Sequence, residues 1–144
     1  MPPRSAPDPV RHLSGLRPAL AWALLILVLC LMPGEAVPSW DWTDLLNMDK
    51  PVHAVLFGVL LVLLVRGFRT ARAGFLRPSR PMLVAFLLTV AYGALTEWMQ
   101  QLEALGRHGD LNDLLANTVG AVLGMIYLRW RSHRKRPHGM EPVA

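Results

Sequence analysis

The sequence is poor in cysteine, with only Cys30 among 144 residues. A single cysteine excludes a disulfide framework within the chain and any metal motif built on several cysteines. Also missing are a serine nucleophile elbow, a phosphate-binding glycine loop, an HExxH pair and a nucleic-acid-binding motif. The motifs therefore assign no cofactor, and we predict no metal site and no nucleic-acid partner.

Apolar residues, by contrast, make up 53% of the chain, and its mean hydropathy is +0.33. They form four blocks, at 18–32, 54–65, 82–95 and 114–128. Each block is shorter than the roughly 20 residues that a helix needs to cross the hydrocarbon core, so buried helices of a soluble bundle are the alternative. Four blocks with charged flanks are, however, too many for a chain of this size to cover with polar surface. We therefore predict an all-α integral membrane protein, a four-helix transmembrane bundle.

The charges divide sharply between the segments that flank these blocks. Three segments hold 13 of the 15 Lys and Arg residues: the start of the chain, 66–80 and 129–136. The other two segments hold only Lys50 and Arg107, together with eight of the ten acidic residues. Because cytoplasmic segments retain Lys and Arg, we predict that both termini and the 66–80 segment are cytoplasmic. Topology alone accounts for the basic clusters and for the pI near 10.3, so no specific partner is assigned to them.

This orientation divides the chain into three parts. Residues 1–17 form a basic cytoplasmic tail, 18–130 the four-helix transmembrane domain, and 131–144 a basic, disordered cytoplasmic tail. A signal peptide is the alternative for the first block, but no small-x-small cleavage site follows it. We therefore expect an uncleaved span.

Polar residues of three helices reach one depth. Counted at 1.5 Å per residue from the arginine-flanked ends, His53 lies about 20 Å up, Glu97 about 22 Å, and Asp113 and Asn117 about 24 and 18 Å. In a hydrocarbon core roughly 30 Å thick, all four lie in the outer leaflet or just above it. We expect them to line a pocket that opens to the outside.

Helical periodicity supports this arrangement. One stripe of the fourth helix carries Asp110, Asp113, Asn117, Gly120 and Gly124. One stripe of the third carries Thr89, Gly93, Glu97 and either Gln100 or Gln101. The Gly120-x-x-x-Gly124 spacing allows another helix to approach closely. Gly93, Gly120 and Gly124 are therefore predicted to be structural.

Glu97, His53 and Asp113 are the predicted catalytic residues, because ionisable groups within a membrane are functional candidates. Each also has a structural interpretation. Glu97 would pair with Arg107 or Lys50, and His53 would form a hydrogen bond with Glu97 or Asn117. The three together would supply metal ligands, but no spacing supports a metal site.

Five further residues are assigned to substrate binding: Arg107, Lys50, Gln100, Asn117 and Asp110. Arg107 and Lys50 would hold an anionic headgroup. Asp110 and Asp113 also fit an N-cap and an acid at N3, Asp49 fits the N-cap of the second helix, and Asn117 fits an interhelical hydrogen bond.

Three sequence pieces resemble the VanZ-like family of bacterial membrane proteins. They are Asp49-Lys50-Pro51-Val52-His53 with Phe57, Tyr92-x-x-x-x-Glu97-x-x-Gln100, and the run from Gly106 to Gly120 that ends at Gly124. The resemblance carries the family's pattern onto Asp49, Lys50, His53, Glu97, Gln100, Arg107, Asp110, Asp113, Asn117, Gly120 and Gly124. It implies a location in the bacterial inner membrane. The founding member is associated with low-level teicoplanin resistance, and the resemblance implies no particular reaction.

Three functions remain open. The first is an enzyme or binding protein that acts on a cell-envelope lipid or peptidoglycan precursor at the outer leaflet. The second is a non-catalytic scaffold or accessory protein whose polar cluster is structural. The third is an ion-coupled carrier, for which four short helices are few. The oligomeric state is not predictable from these patterns.

Overall fold

A computed structural model describes residues 15–31, 49–70, 79–101 and 111–134. These residues form four helices: α1 (Arg17–Leu31), α2 (Asp49–Thr70), α3 (Pro81–Gln100) and α4 (Leu111–Arg134). The prediction of an all-α, four-helix chain is confirmed. Helix α4 continues through Arg134, four residues into the segment predicted as a tail, while the predicted disorder of 135–144 concerns residues outside the described part.

Three of the described helices, α2, α3 and α4, are long and apolar enough to cross a membrane. Helix α1 is apolar but has only 15 residues, which extend about 22 Å at 1.5 Å per residue. Its described length is therefore less than the roughly 30 Å hydrocarbon core, in contrast to the other three helices.

The outer surface of the bundle is apolar. Large side chains such as Leu24, Leu87, Leu115 and Ile126 are exposed along the lengths of α1, α3 and α4. A water-soluble protein rarely exposes so much contiguous apolar surface, whereas a lipid-facing surface requires it. The exposed apolar faces and the lengths of α2–α4 together define a protein that crosses the membrane several times.

Helices α2 and α4 run in the same direction and approach each other most closely. A Cβ atom on Gly120 would collide with the carbonyl of Ala54, and one on Gly124 would lie 2.8 Å from the carbonyl oxygen of Gly58. Residue numbers therefore rise together along the two helices. Gly120 and Gly124 were predicted to let another helix approach, and that helix is α2. The two backbones come close because neither glycine has a side chain.

Helices α1 and α3 run opposite to α2 and α4. At the arginine-rich end, Leu16, which directly precedes α1, belongs to one apolar cluster with Val65, Ala85 and Leu128 of the other three helices. Higher in the bundle, Ile26 of α1 packs with Phe57 of α2. These two clusters set the level of each helix, and hence of its polar residues.

Candidate functional site

The site begins with one hydrogen bond between α2 and α4. His53 Nδ1 lies 3.0 Å from Asn117 Oδ1, and the two side chains are only 7% and 1% exposed. Because an amide oxygen can only accept, the imidazole donates from Nδ1. In neutral His53 the second ring nitrogen, Nε2, is then a hydrogen-bond acceptor.

Helix α3 closes on the same point through Gly93. A Cβ atom there would lie 3.2 Å from Asn117 Nδ2 and 3.3 Å from Phe57 Cε1, so residues of three helices meet around the missing side chain. Phe57 is fully buried, and its ring stacks with that of His53 at a centroid distance of 6.4 Å and an interplanar angle of 8°. An aromatic ring thus forms the wall of the site on the side of the arginine-rich end.

Glu97 lies one helical turn beyond Gly93 on the same face of α3, about 6 Å further from the arginine-rich end. Its side chain is 6% exposed, and both carboxylate oxygens are inaccessible. Glu97 therefore points into the bundle and not toward lipid. Placing a carboxyl group inside a membrane bundle is costly, which is why such groups mark functional sites or paired structural ones.

Asp113 occupies the first turn of α4, one turn beyond Asn117, and is half-buried. A carboxylate at this position complements the helix dipole, as the N3 interpretation expects, and it is also level with Glu97 along the bundle. Lys50, at the start of α2, is exposed. Helix α2 begins at Asp49, the predicted N-cap, although the side chain of Asp49 is not among those described. The predicted contacts of Arg107 and Asp110 lie outside the described residues.

Gln100 contacts α1. Its Nε2 donates to the carbonyl oxygen of Cys30 at 3.0 Å, and the side chain is buried. Because α1 ends at Leu31, the Cys30 carbonyl is one of the last four of the helix, which have no intrahelical donor. The amide of Gln100 therefore caps the end of α1 and ties α3 to it.

Two aromatic residues also join helices: Tyr92, which belongs to the family pattern, and Trp22, which the charge distribution predicts at the inner membrane interface. Tyr92 Oη donates to the carbonyl of Ala23 at 2.6 Å, and Trp22 Nε1 donates to the carbonyl of Leu56 at 2.9 Å. A tyrosine or tryptophan inside an apolar helix needs a hydrogen-bond partner for its polar atom. From that requirement alone, the sequence could have predicted that both residues form hydrogen bonds to other helices. Both contacts hold α1 against the helices that carry the polar site.

Buried threonines of α3 are satisfied within their own helix. Thr89 and Thr96 donate to the carbonyls of Ala85 and Gly93, so their hydroxyl groups do not carry hydrogen bonds to other helices. Thr89, which the sequence placed on the polar stripe, is thus buried and locally bonded. Among the polar contacts between helices at this end of the bundle is the hydrogen bond between His53 and Asn117.

Within 15–31, 49–70, 79–101 and 111–134, no group of three or more His, Cys, Asp or Glu side chains is close enough to share a metal ion. His53, Glu97 and Asp113 do not form such a group as described. The arrangement instead offers one imidazole and two carboxyl groups at adjacent levels of the bundle.

An apolar exterior, helices of membrane-spanning length and a buried polar centre define a polytopic helical membrane protein. The VanZ/LLP1 family model matches residues 17–132 of the chain. The chain therefore belongs to the VanZ/LLP1 family. The match includes α1, α2, α3 and all but the last two residues of α4, and with them His53, Glu97 and Asn117. Comparison with curated proteins and with solved structures found no match.

Proposed function

We propose that this VanZ-family protein binds or acts on a cell-envelope lipid or peptidoglycan precursor at the outer leaflet of the bacterial inner membrane. The observation that carries the proposal is the burial of His53, Glu97 and Asn117 at one end of an otherwise apolar bundle. Insertion scales place the cost of one central charged residue at about 2.5–3.5 kcal/mol. A protein that places a histidine and an acid there has them available for chemistry or recognition.

His53 and Glu97 suit proton transfer. Nε2 of neutral His53 can accept a proton while its Nδ1–H is held by Asn117. Glu97 and Asp113 would serve as the acid and the second base. Lys50 and Arg107 would hold a phosphate or pyrophosphate headgroup, which such precursors carry and to which an arginine binds with two parallel hydrogen bonds.

The proposed function predicts that the protein affects resistance to glycopeptide antibiotics. The family's founding member is associated with low-level resistance to the glycopeptide teicoplanin. We expect a protein that sequesters or modifies a lipid-linked precursor to change the sensitivity of cells to this drug. This requires both termini to be cytoplasmic, so that the polar end faces outward, as the charge distribution predicts.

Direct titration tests the proposal. Full-length protein in lipid nanodiscs is titrated with an undecaprenyl-pyrophosphate-linked peptidoglycan precursor, and binding is followed by intrinsic tryptophan fluorescence. We expect His53→Ala and Glu97→Ala each to weaken binding at least about tenfold, about 1.4 kcal/mol. Thr118→Ala is the control, since Thr118 is next to Asn117 but donates to Leu114 in its own helix.

Cells provide the second arm of this test. His53→Ala, Glu97→Ala and Arg107→Ala should each abolish the teicoplanin or envelope phenotype while the amount of protein in the membrane stays normal. If all three variants keep the wild-type phenotype and the two purified variants bind the precursor normally, the proposal is wrong.

The alternative is a non-catalytic membrane scaffold, and one observation favours it. Polar side-chain atoms join helices at three positions, Gln100, Tyr92 and Trp22. Polar groups in this bundle therefore have structural roles. On this view the bond between His53 and Asn117 is another such tie. Glu97→Gln should then keep function while Glu97→Leu lowers stability. Severe loss of function in both variants, with normal folding, contradicts the scaffold.

A further inference from the structure

The opposite, arginine-rich end of the bundle has a cleft of about 300 Å3 between α2 and α4. We define it as the arginine cleft, and its charged lining residues are Arg66, Arg69 and Arg131. Tyr127 and Ser132 add hydroxyl groups, and none of the described residues that line the cleft is acidic. Arg131 Nη1 donates to Tyr127 Oη at 3.0 Å, which fixes one guanidinium at the edge of the cleft.

An apolar groove of about 450 Å3 continues from this cleft along the outside of α2 and α4. We define it as the α2/α4 groove. It extends from Ala54 to Arg66 on α2 and from Gly120 to Tyr127 on α4, and Gly58, Gly120 and Gly124 contribute only backbone to it. Val62, Arg66 and Tyr127 line both the groove and the cleft, so the two are continuous.

The dimensions match one leaflet of a membrane. From Ala54 to Arg66 is twelve residues, about 18 Å along the helix, and half of a hydrocarbon core is about 15 Å. The groove is therefore as long as an acyl chain that reaches from the headgroup level to the bilayer midplane. The cleft lies at the headgroup end, where arginines bind phosphate as paired donors.

We propose that this face binds one anionic phospholipid from the leaflet at the arginine-rich end, with its phosphate in the arginine cleft and an acyl chain in the α2/α4 groove. Charge complementarity selects the headgroup, because three arginines converge where no described acidic residue lies. The described helix ends beside the cleft, 66–70 and 129–134, also contain no acidic residue that could neutralise it. The bound lipid would cover the exposed seam between the two helices that position His53 and Asn117.

Native mass spectrometry of the full-length protein tests this site. Phosphatidylglycerol and phosphatidylcholine with identical acyl chains are titrated separately, and the affinity of the first bound lipid is measured. We expect phosphatidylglycerol to bind more tightly. The double variant Arg66→Gln/Arg131→Gln should weaken its binding at least about tenfold, because it removes two guanidinium groups that would donate paired hydrogen bonds to the phosphate. Arg129→Gln/Arg134→Gln removes two charges from the same end outside the cleft, and it should change binding by less than about threefold, because it removes only long-range attraction.

A second matched pair of variants tests whether the α2/α4 groove holds the acyl chain. Leu123 lines the groove and Ile126 does not, although they are 55% and 56% exposed on the same helix. Leu123→Trp should fill the groove and weaken the binding of both phospholipids, whereas Ile126→Trp should leave the binding of both unchanged. Glycerol phosphate, which has the phosphate but no acyl chain, should fail to compete at equal concentration.

Three outcomes would overturn the proposal. Equal losses in the two double-arginine variants would mean that only the total charge of this end attracts lipid. Competition by glycerol phosphate, with no effect of Leu123→Trp, would mean that the cleft binds a soluble phosphate. Equal affinities for phosphatidylglycerol and phosphatidylcholine would mean that the site does not select an anionic headgroup. None of these variants touches His53 or Glu97, so this site and the proposed precursor site can fail independently.

Discussion

His53 of α2 and Asn117 of α4 are joined by a buried hydrogen bond of 3.0 Å, between the two helices that also share the closest backbone contact. The bond and the glycine contact depend on each other. Without side chains at Gly120 and Gly124 the backbones come close enough for the imidazole to reach the amide. In turn, the bond makes one rotational setting of the two helices preferable to others.

Asn117→Ala should destabilise the protein by about 1–2 kcal/mol. The change removes the acceptor of the His53 Nδ1–H, and a buried donor that loses its partner costs about 1–3 kcal/mol, somewhat less between membrane helices. Unfolding of purified protein in mixed micelles by SDS, followed by circular dichroism, measures the difference. Thr118→Ala should change the free energy of unfolding by less than half as much, and equal losses would show that the interhelical bond contributes nothing of its own.

Adding a methyl group at Gly120 should be more harmful than at Gly93. At Gly120 the new Cβ meets the backbone carbonyl of Ala54, which cannot move without shifting α2. At Gly93 it meets side-chain atoms of Asn117 and Phe57 at 3.2–3.3 Å, which can shift by a few tenths of an ångström. We expect a loss of about 1–3 kcal/mol for Gly120→Ala and less than about 1.5 kcal/mol for Gly93→Ala. The same SDS titration ranks the two, and the reverse order would refute the α2–α4 packing.

Gln100→Leu should lower stability by about 1 kcal/mol, because it removes the hydrogen bond that caps the Cys30 carbonyl of α1. Gln101→Leu is the matched control, since Gln101 is the exposed neighbour. Precursor binding in nanodiscs separates this structural contact from the substrate-binding role predicted for Gln100. Normal stability of Gln100→Leu with lost binding would support the substrate role over the cap.

Orientation can be tested with the only cysteine of the chain removed. In a Cys30→Ser background, Lys50→Cys introduces a thiol at an exposed position of the polar end, and Ser132→Cys introduces one at the arginine-rich end. A membrane-impermeant maleimide applied to intact spheroplasts should label Lys50→Cys only, because Lys- and Arg-rich segments stay in the cytoplasm. Labelling of Ser132→Cys alone would invert the protein and move the polar end to the cytoplasm.

Much of the site follows from helical periodicity. Counting 1.5 Å per residue places His53, Glu97 and Asn117 at similar depths. The structure has all three buried, with Glu97 one helical turn beyond the level of His53 and Asn117. The cap on α1 could not be anticipated in this way. Gln100 and Glu97 are three residues apart and fall on one stripe, yet the amide of Gln100 donates to the Cys30 carbonyl of α1.

The sequence by itself determined that the chain forms four apolar helices, that its charges divide between two ends, and that polar groups from three helices reach the same level. Helix period, hydrophobicity and charge are properties of short segments, so they can be read without knowing which segments are neighbours. Only the tertiary structure decided that α2 is the partner of Gly120 and Gly124, that His53 bonds Asn117, and that Gln100, Tyr92 and Trp22 hold α1. Those choices depend on the rotation of each helix about its axis, which is set by packing between residues distant in the chain.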